Sequence, residues 1–184
     1  MVFYVIIALV VIVIVVLILY FIAMFNNFKR LQQKVFQAES GIDVALVKRY
    51  DTLTKMMTIV KSYVAHENQL LLEVIKLRKG MSLTEKTQAN QCMDQVVEKL
   101  NIIVENYPDL RSSRNYLQLN AAVKEAEEHL QAARRLYNAN VSAYNQSFIV
   151  FPANLVNSLT GNKHMVLDFF QAEESRLSDV KIDL

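Results

Sequence analysis

From Val2 to Phe25 the chain reads "VFYVIIALVVIVIVVLILYFIAMF", 24 residues without a charge or an amide, in which Tyr4 and Tyr20 are the only hydroxyl side chains. As a helix this run is about 36 Å long, enough to cross a hydrocarbon layer of about 30 Å with some tilt. A core helix of a soluble protein does not need an uncharged run of this length, so the segment reads as a membrane span. A cleaved leader would need a basic start, a shorter apolar stretch and a small-residue cleavage site. Here the first charge is Lys29, and the run is followed by Asn26, Asn27 and Phe28. The expectation is a retained anchor over residues 1–26.

The flank suggests an orientation. Lys29, Arg30 and Lys34 form a juxtamembrane basic group ahead of the first acid, Glu39. Positive charge is retained on the cytoplasmic side, which predicts a single-pass protein of the cell membrane with its N-terminus outside and its C-terminal domain cytoplasmic. The single Cys92 agrees, because it cannot form an intramolecular disulfide. Two sequons, Asn140-Val-Ser142 and Asn145-Gln-Ser147, would suit a lumenal domain. Both fall within a helical pattern beside its packed face, and they are set aside for that reason.

All 20 basic and 18 acidic residues lie beyond the span, so the remainder is a nearly neutral domain of ordinary polarity. That balance argues against a nucleic-acid partner, which calls for a basic stripe with interleaved aromatics. Three glycines and two prolines punctuate the whole chain, and apolar residues recur at spacings of three and four with no sustained alternation. The fold class is therefore all-α: an N-terminal transmembrane helix followed by an elongated antiparallel bundle of about four helices. The bundle is assigned to residues 27–161. Residues 162–184 form a tail, either a short helix or partly disordered.

A first bundle helix is expected from about Asn26 to Lys79, with Leu31, Val35, Ala38, Ile42, Leu46, Leu53, Met57, Val60, Val64, Leu71 and Val74 on its packed stripe, and Gly80 as its stop. Ser82 or Thr84 caps a second helix that continues through Met93, Val97, Leu100 and Val104 to about Asn106, where Pro108 ends it. Ser112 or Ser113 opens a third. Its inward positions are Leu119, Val123, Ala126, Leu130 and Ala133, and then a seam of Tyr137, Val141, Tyr144, Phe148 and Phe151. Two Tyr-Asn pairs, at 137–138 and 144–145, stand seven residues apart, the spacing at which large amphipathic side chains share a bundle face. The pattern reads as packing rather than chemistry. A short helix then runs from Pro152 towards Gly161.

No motif for catalysis, cofactor or metal binding emerges. His66, His129 and His164 stand alone, and His66-Glu67 lacks the second histidine of a zinc helix. Two charged stretches, "VKRYD" and "KEAEEHLQAARR", read as solvated faces with exposed pairs, each worth well under about 1 kcal/mol. The competing reading is a partly buried link from Arg49 or Arg134 to Asp43 or Glu127.

"GIDVALVKRYDTLTKMMTIVKSYVAHE", "ENYPDLRSSRNYLQL" and "EHLQAARRLYNANVSAYNQSFIVFPANLV", together with the span, resemble the LemA family of bacterial membrane-anchored proteins up to about Gly161. The most specific matches are Asp43-Val44, Lys48-Arg49, Glu105-Asn106-Tyr107-Pro108, Arg134-Arg135, the two Tyr-Asn pairs and Phe151-Pro152. The resemblance implies one transmembrane helix carrying a bundle of about four helices, with no established catalytic activity. Thr54 stands where many relatives have proline, which favours an unbroken first helix. Thr160-Gly161-Asn162 replaces a more aromatic stretch at the junction with the tail.

The function expected from these readings is a non-enzymatic membrane-anchored scaffold, without a cofactor, that self-associates or binds a protein partner at the bilayer. The alternative is an adaptor or regulatory accessory of a membrane enzyme such as a peptidase. Self-association follows from unequal lengths: a first helix of about 80 Å cannot be masked fully by a second of about 37 Å, and with a third of about 55 Å running back along it one apolar stripe overhangs unless the first helix bends near Gly41 or Asp51. That predicts an overhanging coiled-coil-like stripe in which Leu31, Val35, Ala38, Ile42 and Leu46 contact a second copy.

Overall fold

The computed structural model describes residues 1–64, 77, 80–159 and 166–170. Every regular element among them is an α-helix: α1 (Val2–Tyr63), α2 (Leu83–Glu105), α3 (Pro108–Ser112), α4 (Arg114–Ile149) and α5 (Ala153–Leu159). The first helix is expected to reach Lys79, but α1 ends at Tyr63, and Val64 and Leu77 are not helical; residues 65–76 and 78–79, the Gly161 stop, the Thr160-Gly161-Asn162 junction and the tail from 171 lie outside the described residues.

The apolar run and the first bundle helix are one element, because α1 runs for 62 residues without a break. Its interior holds no proline, position 54 included, and the Thr54 hydroxyl donates to the Tyr50 carbonyl at 2.9 Å. Thr52 and Thr58 bond the carbonyls of Lys48 and Thr54 in the same way, so these β-branched residues give their hydroxyls backbone partners within the helix. Gly41 is the one weak point, since glycine within a helix costs about 0.5–1 kcal/mol relative to alanine. A β-carbon added there meets nothing within 4 Å. Gly41→Ala should therefore raise stability by about 0.5–1 kcal/mol in a denaturant titration followed by helical circular dichroism.

The caps follow local chemistry. Ser82 and Glu85 form a reciprocal capping box, with the Glu85 amide donating to the Ser82 hydroxyl at 3.2 Å and the Ser82 amide donating to the Glu85 carboxylate at 2.8 Å. Gly80, just upstream, has a φ of +81°, a left-handed conformation that glycine adopts without steric cost. Pro108 does more than end α2. It opens α3 at the first helical turn, where its missing amide costs nothing. Ser113 then starts α4, accepting the Tyr116 amide at 3.3 Å.

The chain divides into two compact units, and the boundaries at 39/40 and 135/136 fall inside α1 and α4. One unit comprises Met1–Glu39 and Leu136–Phe169. Its buried positions are Phe28, Val35 and Ala38 on α1, and Tyr137, Val141, Tyr144, Asn145 and Phe148 on α4, with Ala153 and Asn157 on α5. The other unit comprises Ser40–Arg135 with Phe170. Its core includes Ile42, Leu46, Leu53, Met57 and Val60 from α1, Met93, Leu100 and Val104 from α2, and Leu110, Ala126 and Leu130.

Two sequence expectations are corrected here. Phe151 does not belong to the seam: α4 ends at Ile149, and Phe151 lies in the following turn, 78% exposed. Nor is the stripe assigned to contacts between copies an overhang. Val35, Ala38, Ile42 and Leu46 are buried within the chain and Leu31 is half-buried. These positions are covered by other parts of the same chain, so no apolar overhang is left along them for a second copy.

Candidate functional site

Two polar constructions stand out against the apolar core, one in each unit. The first centres on Arg49, whose side chain is 4% exposed. An apolar stripe with spacings of three and four carries the α1 side chain at position 49 inward between Leu46 and Leu53, so the guanidinium must find its partners inside the unit. It finds three. Nη2 pairs with the Asp94 carboxylate at 2.5 Å and with Glu127 at 2.9 Å, and Nη1 donates to the Asn90 side-chain oxygen. Asn90 also donates its amide to Asp94 at 3.1 Å, four residues along α2.

This cluster joins α1, α2 and α4 at one point. Two carboxylates around one guanidinium leave it with an excess negative charge, and Asp94 and Glu127 keep 22% and 28% exposure, which lets solvent carry part of that charge. The geometry suits arginine because a planar fork can bond several oxygens at once, which a lysine ammonium does less well. Nearby, Lys86 is 3% exposed and bonds Asp43 at 2.8 Å, adding a second tie between α2 and α1. Lys48 and Glu125 pair at 2.8 Å on the surface, and the Lys48 hydrogen bond, followed by its charge and by His129, holds the Glu125 carboxyl below its usual range.

The solvated-face reading of these stretches is therefore corrected at Arg49, where the buried-link alternative describes the structure. Glu127 is among the partners considered from the sequence. Asp43 pairs with Lys86 instead. Arg134 lies over the Phe170 ring with its guanidinium carbon 4.7 Å from the centroid, a cation–π contact. Asn90 and Asp94 were not anticipated, although a polar pair four residues apart on a helix is the pattern that shares one face.

The second construction lies in the other unit and concerns the Tyr-Asn repeat. Asn145 is buried and uses both ends of its amide on one residue: Nδ2 donates to the Leu167 carbonyl at 2.9 Å, and the Leu167 amide donates to Oδ1 at 3.0 Å. The Tyr137 hydroxyl donates to the Asp168 carbonyl at 3.2 Å. Both side chains thus hold the main chain of the non-helical segment 166–170, whatever side chains that segment carries. Tyr144 packs edge-on against Phe148, with centroids 5.3 Å apart, and burial pushes its phenol above the usual tyrosine range. Tyr137, Val141, Tyr144 and Phe148 are all inward, and Asn145 is the member of the second pair that makes the tether. The available signal was an amide next to an apolar stripe, which must find partners once buried.

The basic group at the end of the apolar run is solvent-exposed at Lys29, Arg30 and Lys34, and the Lys29 ammonium lies 5.8 Å from the centre of the Phe25 ring. The Lys34 carbonyl accepts a bond from Asn140 at 3.3 Å, which fixes α4 against α1 in this unit.

The model of the LemA family matches residues 38–184. The chain is also similar to Protein LemA of Metamycoplasma hominis, 29% identical over 160 residues that span 84% of this chain and 72% of the relative. The matched region begins beyond the apolar run and takes in both polar constructions. With the family match covering most of its length and an all-helical fold around it, this chain belongs to the LemA family.

Proposed function

We propose that this protein is a non-enzymatic, membrane-anchored helical scaffold that associates with copies of itself or with another membrane protein. The observation that carries the reading is the N-terminal part of α1. Its apolar window is 0% buried and has a mean hydropathy of 3.7, so a long uncharged helix surface is left for lipid to cover. The buried charges beyond it serve as ties between helices, which favours a structural role for the domain over a chemical one.

Self-association through the 31–46 stripe would require opening the core, so a contact between copies falls to the outer face of α1. Val44 and Val47 remain 68% and 48% exposed there. The test is cysteine crosslinking in native membranes at Val44 and Val47 in a Cys92→Ser background, combined with purification of the intact protein. Crosslinked dimers without another stoichiometric protein support the scaffold. A co-purifying enzyme at equal amount, with no dimers, makes the protein an adaptor. A monomer with neither would overturn the proposal.

A further inference from the structure

The turn between α4 and α5 carries a cluster of exposed apolar side chains: Ile149 at 62%, Val150 at 57%, Phe151 at 78% and Leu155 at 54%. Four large apolar groups within seven residues are an unusual surface to leave in water. Their height relative to the span can be read from contacts within their own unit. Asn140 is level with Lys34, because its amide bonds the Lys34 carbonyl. In this unit α1 contributes the residues before Ser40 and α4 the residues after Arg135, with Asn140 bonded to Lys34 between them, an arrangement that two helices reach by running antiparallel. Both helices rise about 1.5 Å per residue. Nine residues beyond Asn140 is Ile149, and nine residues before Lys34 is Phe25, the last residue of the uncharged run.

The exposed turn is therefore level with the end of the span. The intervening sequence agrees, since Leu136 to Leu159 contains no Asp, Glu, Lys, Arg or His, in a domain otherwise rich in charge. Lys29, Arg30 and Lys34 sit just below that level on α1 and are exposed, positioned for anionic headgroups.

We propose that the α4–α5 turn is a second membrane contact, with Ile149, Val150, Phe151 and Leu155 seated in the headgroup–acyl boundary of the leaflet from which the domain emerges. Apolar side chains at an interface of this kind bury to a depth of about 5–10 Å, which a turn level with Phe25 reaches without a rearrangement. The contact rests on reading residues 2–25 as a span, and it holds for either orientation of the protein. It would fix the domain's rotation and tilt about the anchor, which a single helix leaves free.

The chain contains no tryptophan, so one introduced residue reports on one place. The experiment uses the full-length protein in vesicles of phosphatidylcholine and phosphatidylglycerol carrying nitroxide-labelled lipids, with Phe151→Trp, Leu155→Trp, Leu17→Trp and Ile102→Trp compared. Leu17→Trp should be quenched by a deep acyl label. Phe151→Trp and Leu155→Trp should shift to shorter emission wavelength and lose most of their intensity to a shallow label, while Ile102→Trp stays unquenched. Helical circular dichroism checks that each variant is folded, and the two turn positions cover for one another. Water-like emission from both turn positions, with Leu17→Trp quenched, overturns the second contact and leaves the anchor standing. An unquenched Leu17→Trp overturns the anchor and the turn contact with it.

Discussion

Arg49→Ala is expected to destabilise the full-length protein by about 3 kcal/mol in a urea titration, at the lower end of the 3–5 kcal/mol for breaking a buried ion pair from one side. The substitution leaves Asp94, Glu127 and Asn90 facing one another without the guanidinium that separates them. The partial exposure of the two carboxylates is what keeps the loss from the upper end. Arg49→Lys should restore only part of it, because a single ammonium cannot bond Asp94, Glu127 and Asn90 in the same plane. Glu127→Gln should cost less than Arg49→Ala, since the Asp94 pair remains. A double-mutant cycle between positions 49 and 127 should show coupling well above the uncertainty of the measurement. If Arg49→Ala unfolds at the same urea concentration as the parent, the cluster contributes nothing to stability.

Tyr144→Ala should cost a further class of stability, about 3–5 kcal/mol, as for other buried aromatic truncations. The ring is 3% exposed and in edge-to-face contact with Phe148, so its removal opens a cavity as well as losing buried surface. Tyr144→Phe keeps the ring and should cost much less. Asn145→Ala isolates the tether: it removes both bonds to Leu167 and leaves that residue's amide and carbonyl without their partner, a loss of about 1–3 kcal/mol. The order Tyr144→Ala, then Asn145→Ala, then Tyr144→Phe is the expected result of thermal unfolding. Unchanged melting of Tyr144→Ala with loss of a bound partner would make the Tyr-Asn repeat a binding site instead of a seam.

Both substitutions lie where the sequence was only partly legible. The inward stripe on α4 could be read as far as Phe148, because a helix repeats its apolar side every three to four residues regardless of its neighbours. Phe151 was assigned to that stripe by continuing the period, and the error came from a helix that ends two residues earlier. The turn places it outward, where it is exposed together with Val150 and Leu155. The tether to Leu167 joins residues 22 apart through main-chain atoms, and main-chain partners leave no trace in side-chain identity.

What the sequence by itself determined was the class of the molecule. A run of 24 uncharged residues gives a helix long and apolar enough to cross a membrane, sparse glycine and proline permit long helices, and the three-to-four spacing sets which side of each helix turns inward. These are properties of consecutive residues. Only the tertiary structure decided which inward polar groups meet, because Arg49, Asn90, Asp94 and Glu127 come from three helices separated by loops, and charge pairing depends on angströms rather than on order along the chain. The same applies to the apolar stripe of α1. Its pattern showed that it must be covered, but a pattern on one helix does not say whether the cover comes from lipid, another copy or the same chain, and from Val35 to Leu46 it is the same chain.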